Sequence, residues 1–230
     1  MNKNSLISVI MSAHNSEKTI EESIKSILNQ SYRNFELLLM DDFSNDKTYE
    51  ICQKISLNDN RIKLFQNKDN QGLTKSLNIL INKSKGKFIA RHDADDISHL
   101  ERFEKQIDYI DKFNLDACSS RALIIGSGKV IPNLSYYFPI SLVLRYKNPV
   151  IHGSLMINKQ VIQKLNLYNE EFKYSQDYEL ILKLYKNKYK FKIMKEPLYR
   201  LNMKNNISSK YKAEQKKYAD MVRNQIRNKK

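Results

Sequence analysis

The sequence predicts an α/β fold in which a mostly parallel central sheet is flanked by helices. Three observations carry that prediction. Short β-branched, apolar runs alternate with amphipathic stretches four times between residues 6 and 96. Three of those runs end in polar clusters: Ser12 with His14, Asp41 with Asp42, and Asp93 with Asp95. Only 5 Gly and 4 Pro in 230 residues argue against an all-β chain built on tight turns.

Residues 6–11 read as a buried parallel strand, because both of its faces are apolar. The polar turn 12–16 follows, with Asn15 or Ser16 as the expected helix cap. A helix is predicted from about Glu17, its inner face set by Ile20, Ile24, Ile27 and Leu28 at helical spacing. Residues 35–40 repeat the strand and 41–46 the polar turn. Thr48, Ile51, Cys52 and Ile55 mark the next helix. Residues 62–65 form a third strand, and a helix from Leu73 turns Leu77, Leu80 and Ile81 inward. The fourth strand, 88–90, delivers three carboxylates: Asp93, Asp95 and Asp96.

The second half is less regular. Phe103, Ile107 and Ile110 predict a helix over 102–112, and residues 117–125 a strand. Residues 130–146 form an insertion rich in aromatics, with Pro132 and Pro139. A strand is expected over 151–157, around His152. Another helix starts near Asp177 and buries Leu180, Ile181 and Leu184, and short strands at 191–194 and 198–201 close the sheet. Residues 204–230 carry nine Lys or Arg against Glu214 and Asp220. They read either as a solvated, partly frayed helix or as an element lying on a membrane surface.

The net charge of +15 invites an anionic partner, such as a nucleotide-bearing substrate, an anionic membrane or nucleic acid. The basic residues are spread along the chain and thickest in the tail, which does not favour a nucleic-acid face. Cys52 and Cys118 are far apart and outside any metal-binding spacing, so they read as reduced, buried thiols. No signal peptide is apparent. The longest uncharged stretch, 130–144, is too short and too interrupted by Pro to span a bilayer, so the expectation is a soluble or peripheral protein. Neither a Gly-x-Gly-x-x-Gly nor a Gly-x-x-x-x-Gly-Lys-Ser/Thr sequence occurs, so phosphates would be held by something other than a glycine loop.

In extended chain, Asp93 and Asp95 point to the same side and can share one hard cation, Mg²⁺ or Mn²⁺. The alternative is an ordinary acidic turn with Asp96 capping the next helix. In a doubly wound sheet the ligand lies beyond the carboxyl ends of the strands, where all three polar clusters fall. That placement favours the ligand-binding reading.

The motifs also resemble a known family. Ser8-Val9-Ile10-Met11-Ser12-Ala13-His14-Asn15 is similar to the opening strand and turn of family 2 glycosyltransferases, usually Ser-Val-Ile-x-Pro-x-Tyr-Asn. Met40-Asp41-Asp42-Phe43-Ser44-Asn45-Asp46-Lys47-Thr48 resembles their Val-Asp-Asp-Gly-Ser-x-Asp-x-Thr. Asn70-Gln71-Gly72-Leu73, Gly86-Lys87-Phe88-Ile89 and Asp93-Ala94-Asp95-Asp96 follow in the family's order. The run from Phe172 through Gln176-Asp177 to Leu180 resembles its Glu-Asp-x-x-Leu helix start. The resemblance spans residues 5–205 and departs from the pattern at Ser12-Ala13 for Pro, His14 for the aromatic, and Gln176 for Glu.

The resemblance implies a GT-A fold, Rossmann-like. Residues 1–205 would form one domain, with a nucleotide-sugar half over 5–97 and an acceptor half over 98–205, and 206–230 a basic helical tail. It implies inverting transfer from a UDP-sugar to a glycan or lipid-linked acceptor in bacterial lipopolysaccharide, lipooligosaccharide or capsule assembly, at the cytoplasmic face of the inner membrane. Ser12, His14, Asn15, Glu17, Asp42, Asn70, Asp93, Ala94 and Asp95 would bind the nucleotide-sugar. Asp42 would contact the base and Asp93 the ribose. Asp95 with Asp93 would hold Mn²⁺ or Mg²⁺, and Asp177 would be the general base. His152 and Gln176 are acceptor-side candidates, and Arg200 and Lys204 candidates for the diphosphate. The alternatives are a basic nucleic-acid-binding protein and an inactive relative that only binds.

Overall fold

The structure is a computed structural model that describes residues 4–203 and 211–227. Its strands are β1 (Ile7–Ala13), β2 (Phe35–Asp41), β3 (Ile62–Gln66), β4 (Phe88–Arg91), β5 (Ile97–Ser98), β6 (Ala117–Ile124), β7 (Val130–Ile131), β8 (Met156–Asn158) and β9 (Phe191–Leu201). Helices α1 (Ile20–Leu28), α2 (Thr48–Ser56), α3 (Leu73–Lys83) and α4 (Arg102–Phe113) belong to the first half of the chain. Helices α5 (Ile140–Val143), α6 (Lys159–Lys164), α7 (Gln176–Lys186) and α8 (Lys212–Arg227) follow.

One sheet runs β3-β2-β1-β4-β8-β6-β9-β5, with β7 added to β6. From β3 to β4 all pairing is parallel, as the alternation predicts. Beyond β4 the sheet is mixed: β8 runs antiparallel to both β4 and β6, and β9 parallel to β6. Alternate residues of β1 feed opposite cores. Ile7, Val9 and Met11 pack with Ile20, Ile24, Ile27, Phe103 and Ile107 on one face. Ile10 packs with Leu38, Leu77, Leu80, Ile81, Leu180 and Leu184 on the other. This two-sided burial explains why the early strands read as continuous apolar runs.

Five local expectations are corrected. The first helix starts at Ile20, not near Glu17, with Thr19 at its cap and no side-chain cap bond; residues 15–17 are engaged by the neighbouring loop instead. Residues 151–157 are a 3₁₀ turn, His152–Ser154, followed by the short β8, because Gly153 lies against Tyr199 and Asp93. The two closing strands are one, β9. Its register to β6 shifts between Ser120 and Ala122, and Pro197 sits at that irregularity, where the lost N–H donor is tolerated. Asp96 is buried and caps nothing; α4 begins six residues later at Arg102. Helix α8 is docked rather than solvated: Val222 is fully buried, and Tyr218, Ala219 and Ile226 pack on the same core as α7. Residues 204–210 and 228–230 of the expected tail, Lys204 among them, lie outside the described residues.

Cys52 and Cys118 are free and buried, and burial pushes both thiols up to about 12. Among the described residues no helix is long and apolar enough to cross a membrane.

Gly86 initiates β4 and shows how tightly the sheet is fastened. Its N–H donates to Ser8 Oγ at 2.7 Å, and Ser8 Oγ donates to the buried Glu36 Oε1 at 2.6 Å. A Cβ at Gly86 would come within 2.5 Å of the Ser8 backbone nitrogen, which cannot move without displacing β1. Gly86→Ala is therefore expected to lose about 1–3 kcal/mol in urea unfolding; a wild-type midpoint would show that the two strands are not locked here.

Candidate active site

Strand β4 ends at Arg91, and the next turn carries Asp93, Asp95 and Asp96. Arg91 is nearly fully buried and pairs through Nη2 with Asp93 Oδ1 at 2.5 Å; its Nη1 donates to the His92 carbonyl. Arg102 is completely buried beneath the same turn. It donates to Arg91 O at 2.8 Å, to Ser98 Oγ at 2.9 Å and to Gln106 Oε1 at 3.0 Å. Its guanidinium also faces the Tyr199 ring at 5.1 Å. The buried Tyr199 hydroxyl accepts the Asp93 N–H at 3.0 Å and shares a hydrogen bond with Asp96. Asp96 Oδ1 accepts the Asn202 N–H at 2.7 Å.

Two buried guanidinium groups thus support three carboxylates. The balance leaves its trace in the titrations. Burial and the charge of Asp93 push Asp95 up to about 6, and burial with both neighbouring carboxylates raises Asp96. Burial lowers Arg102 to about 10. Burial, then Arg102 and Arg91, hold His92 well below the usual imidazole range, so it stays neutral. Gly153 closes the wall: a Cβ there would overlap the Tyr199 hydroxyl and stand 2.6 Å from Asp93 Oδ2.

Among the described residues no three His, Cys, Asp or Glu side chains surround one point. The donor set nevertheless fits a hard divalent cation that takes its remaining ligands from a phosphate-bearing substrate. Such ions need only one or two carboxylates from protein, and Asp93 and Asp95 supply two on one turn.

The first two polar clusters are laced to each other. Asn15 N–H donates to Ser44 Oγ at 3.0 Å, and Asn45 N–H returns to Asn15 Oδ1 at 2.8 Å. Lys47 N–H donates to Glu17 Oε2, and Glu17 N–H to Asp46 Oδ2, both at 3.1 Å. Asn15 and Glu17, expected to contact a nucleotide-sugar, thus hold the loops together. His14 Nδ1 donates to the Asp42 carbonyl at 2.9 Å, which fixes its tautomer and leaves the ring exposed. Asp42 is buried, and its carboxylate accepts from Asn67 Nδ2 and from the N–H groups of Gln71 and Gly72 at 2.7–2.9 Å. It anchors the loop that carries the exposed Asn70. Ser12 is partly exposed at the end of β1, and Ala94 is buried. Phe43 holds a left-handed φ of 60° where the resembling motif has Gly, and its ring is exposed.

On the other side, Asp177 stands in the first turn of α7. Asn148 Nδ2 donates to its Oδ2 at 2.7 Å, and among the described residues no donor occupies the other oxygen. Asp177 lines a cleft of about 350 Å³ with Lys147, Asn148, Lys216 and Arg223. Gln176, its neighbour, is turned into the core. His152 Nε2 and the Tyr168 hydroxyl share a 2.9 Å hydrogen bond between the two halves of the site. Burial, then Arg91, lower His152, while Asp177 and Asp93 oppose them. Arg200 is exposed on β9.

The arginines, Tyr199, Gly153 and Asn148 escaped the sequence reading. Two of them left a signal. Arg91 interrupts an apolar strand next to the acidic run, and Arg102 and Gln106 share one face of α4.

Residues 8–165 match the pattern of Glycosyl transferase family 2. The putative glycosyltransferase EpsE of Bacillus subtilis is 32% identical over 87% of this chain and 74% of its own length. Escherichia coli WfgD, a UDP-Glc:alpha-D-GlcNAc-diphosphoundecaprenol beta-1,3-glucosyltransferase, is 32% identical over 79% of this chain and 70% of its own. Among solved structures, the mannosyltransferase PcManGT of Pyrobaculum calidifontis, in complex with GDP-Man and Mn²⁺, superposes with a TM-score of 0.79 at 17% identity. That match covers 97% of this chain and 65% of PcManGT, and it establishes likeness of fold.

Removing Arg102 should expose the electrostatic dependence of the turn. Arg102→Met is expected to cost about 3–5 kcal/mol in denaturant unfolding, because it removes one of two buried countercharges. A loss below about 1 kcal/mol would mean that the carboxylates do not need it.

Proposed function

This chain belongs to glycosyl transferase family 2, and we propose that it moves a sugar from a UDP-sugar to a hydroxyl of a glycan or lipid-linked saccharide, with inversion. The context in this reading is bacterial lipopolysaccharide, lipooligosaccharide or capsule assembly at the cytoplasmic face of the inner membrane. One observation carries the proposal. Asp177, with one oxygen held by Asn148 and, among the described residues, no donor on the other, lines a cleft of about 350 Å³ together with Lys147, Lys216 and Arg223.

In this mechanism Asp177 takes the proton of the acceptor hydroxyl as that oxygen attacks the anomeric carbon. The bond to the diphosphate breaks on the opposite face, and its electron pair departs with UDP. No second carboxylate is needed as a nucleophile, so the configuration inverts. Asp95 and Asp93 are the residues that would hold Mn²⁺ or Mg²⁺; when bound, the cation offsets the charge growing on the leaving diphosphate. Arg91 holds Asp93 in place through their ion pair. The exposed His14 and Phe43 rings present faces on which the base can stack.

Lys147, Lys216 and Arg223 line the cleft with Asp177, which suits an acceptor that carries phosphate beside its reacting sugar. WfgD's acceptor is of that kind by its name. WfgD's UDP-Glc also supports a UDP donor, whereas PcManGT was solved with GDP-Man. A donor screen across UDP-, GDP- and dTDP-sugars decides between them.

Asp177→Asn should reduce turnover by at least about 100-fold while leaving UDP affinity unchanged, measured by coupled UDP release and calorimetry. Retained turnover would remove Asp177 as the base. Asp95→Ala should abolish the Mn²⁺-dependent part of UDP binding; an unaltered calorimetric affinity with Mn²⁺ would rule out Asp95 as the ligand.

A further inference from the structure

The segment between β7 and Asn148 carries apolar surface that the core does not use. Val143 and Leu144 point inward and are buried. Leu134, Tyr137, Phe138, Leu142 and Tyr146 are 42–75% exposed. Leu134 and Tyr137 are three apart on a 3₁₀ helix, Leu134–Tyr137, so their side chains stack along one edge. Leu142 and Tyr146 are four apart on the turn that continues α5, where the Tyr146 and Lys147 N–H groups both donate to Val143 O.

The charge carried by this stretch of chain has one sign. Residues 117–169 contain no Asp or Glu, yet they include Arg121, Lys129, Arg145, Lys147, Lys159 and Lys164. Arg145 and Lys147 are exposed and flank Tyr146. Exposed Leu, Phe and Tyr beside exposed Lys and Arg match the two components of an anionic bilayer surface, acyl chains at the headgroup boundary and negative headgroups. A second copy of the chain is disfavoured as the occupant, because a two-fold contact would set this acid-free, cationic stretch against itself. The basic tail is a poorer candidate. The apolar stripe of α8 (Tyr218, Val222 and Ile226) is already packed on the core.

We propose that the 134–147 segment is a membrane-docking surface that binds anionic phospholipid headgroups and seats Leu134, Phe138 and Leu142 among the acyl chains. Its position matters for the site. Asn148, which holds Asp177, directly follows Lys147, and Arg223 of α8 donates to Tyr146 O at 2.8 Å. Docking through this segment brings the mouth of the Asp177 cleft to the lipid surface. Binding requires neither donor nor acceptor, so it stands or falls separately from the proposed reaction.

The test is flotation of the full chain with phosphatidylcholine vesicles, with and without phosphatidylglycerol. Binding is expected only with phosphatidylglycerol and should weaken with salt. Leu134→Ser combined with Phe138→Ser and Leu142→Ser should reduce partitioning about tenfold or more, at an unchanged melting temperature because these side chains are exposed. If that variant does not fold, Arg145→Glu with Lys147→Glu decides, with a similar loss expected. The proposal is overturned if the folded variants float like the wild type. It is equally overturned if sedimentation shows that they split a dimer while vesicle binding persists, or if Lys212→Glu, Lys216→Glu and Lys217→Glu on α8 abolish binding on their own.

Discussion

Three carboxylates at the end of a buried strand need positive charge beneath them, and the rest of the site follows from where that charge is placed. Arg91 and Arg102 supply it from inside the protein, one on the strand and one on the helix that packs against it. Burying two guanidinium groups is costly by itself. Here their donors are distributed over carbonyls, Ser98, Gln106 and Asp93, and the ring of Tyr199 faces Arg102. Helix α4, β5 and β9 are thereby tied to the tip of β4, and the small residue at Gly153 lets them close. Within that turn, burial and then the charge of Asp93 push Asp95 up to about 6.

A second constraint shapes the ends of β1, β2 and β3. The loops after β1 and β2 exchange backbone and side-chain hydrogen bonds through Asn15, Ser44, Glu17 and Asp46. Asp42 fastens the loop after β3 in the same way. Three adjacent parallel strands therefore end in one interlocked rim. The polar residues of these motifs bond to one another, and the rings of His14 and Phe43 are exposed beside them. Phe43 tolerates an unfavourable left-handed backbone there, which neighbouring bonds to Ser44 and Asn45 support.

Helix α7, which carries Asp177, takes its position from the core it shares with α3 and α8. The acid-free segment before Asn148 then gives this side of the molecule an apolar, cationic exterior. The Asp177 cleft and the proposed lipid-facing surface are thus consecutive in the chain.

By itself the sequence determined the strand and helix order of the first half, the two-sided core and the three polar clusters at the sheet's edge. Periodicity of apolar residues is a local property and survives without the fold, as Ile7, Val9 and Ile10 illustrate. The motifs also carried the family. The tertiary structure alone decided what the polar residues touch. Asn15, Glu17 and Asp42 became loop fasteners, Asp96 a buried group, and Arg91, Arg102 and Tyr199 the support of the acidic turn. It also decided that residues 191–201 form one strand and that α8 is docked. Each of these rests on contacts between residues distant in the chain, from Asp93 to Tyr199 and from Asn148 to Asp177, which no local pattern encodes.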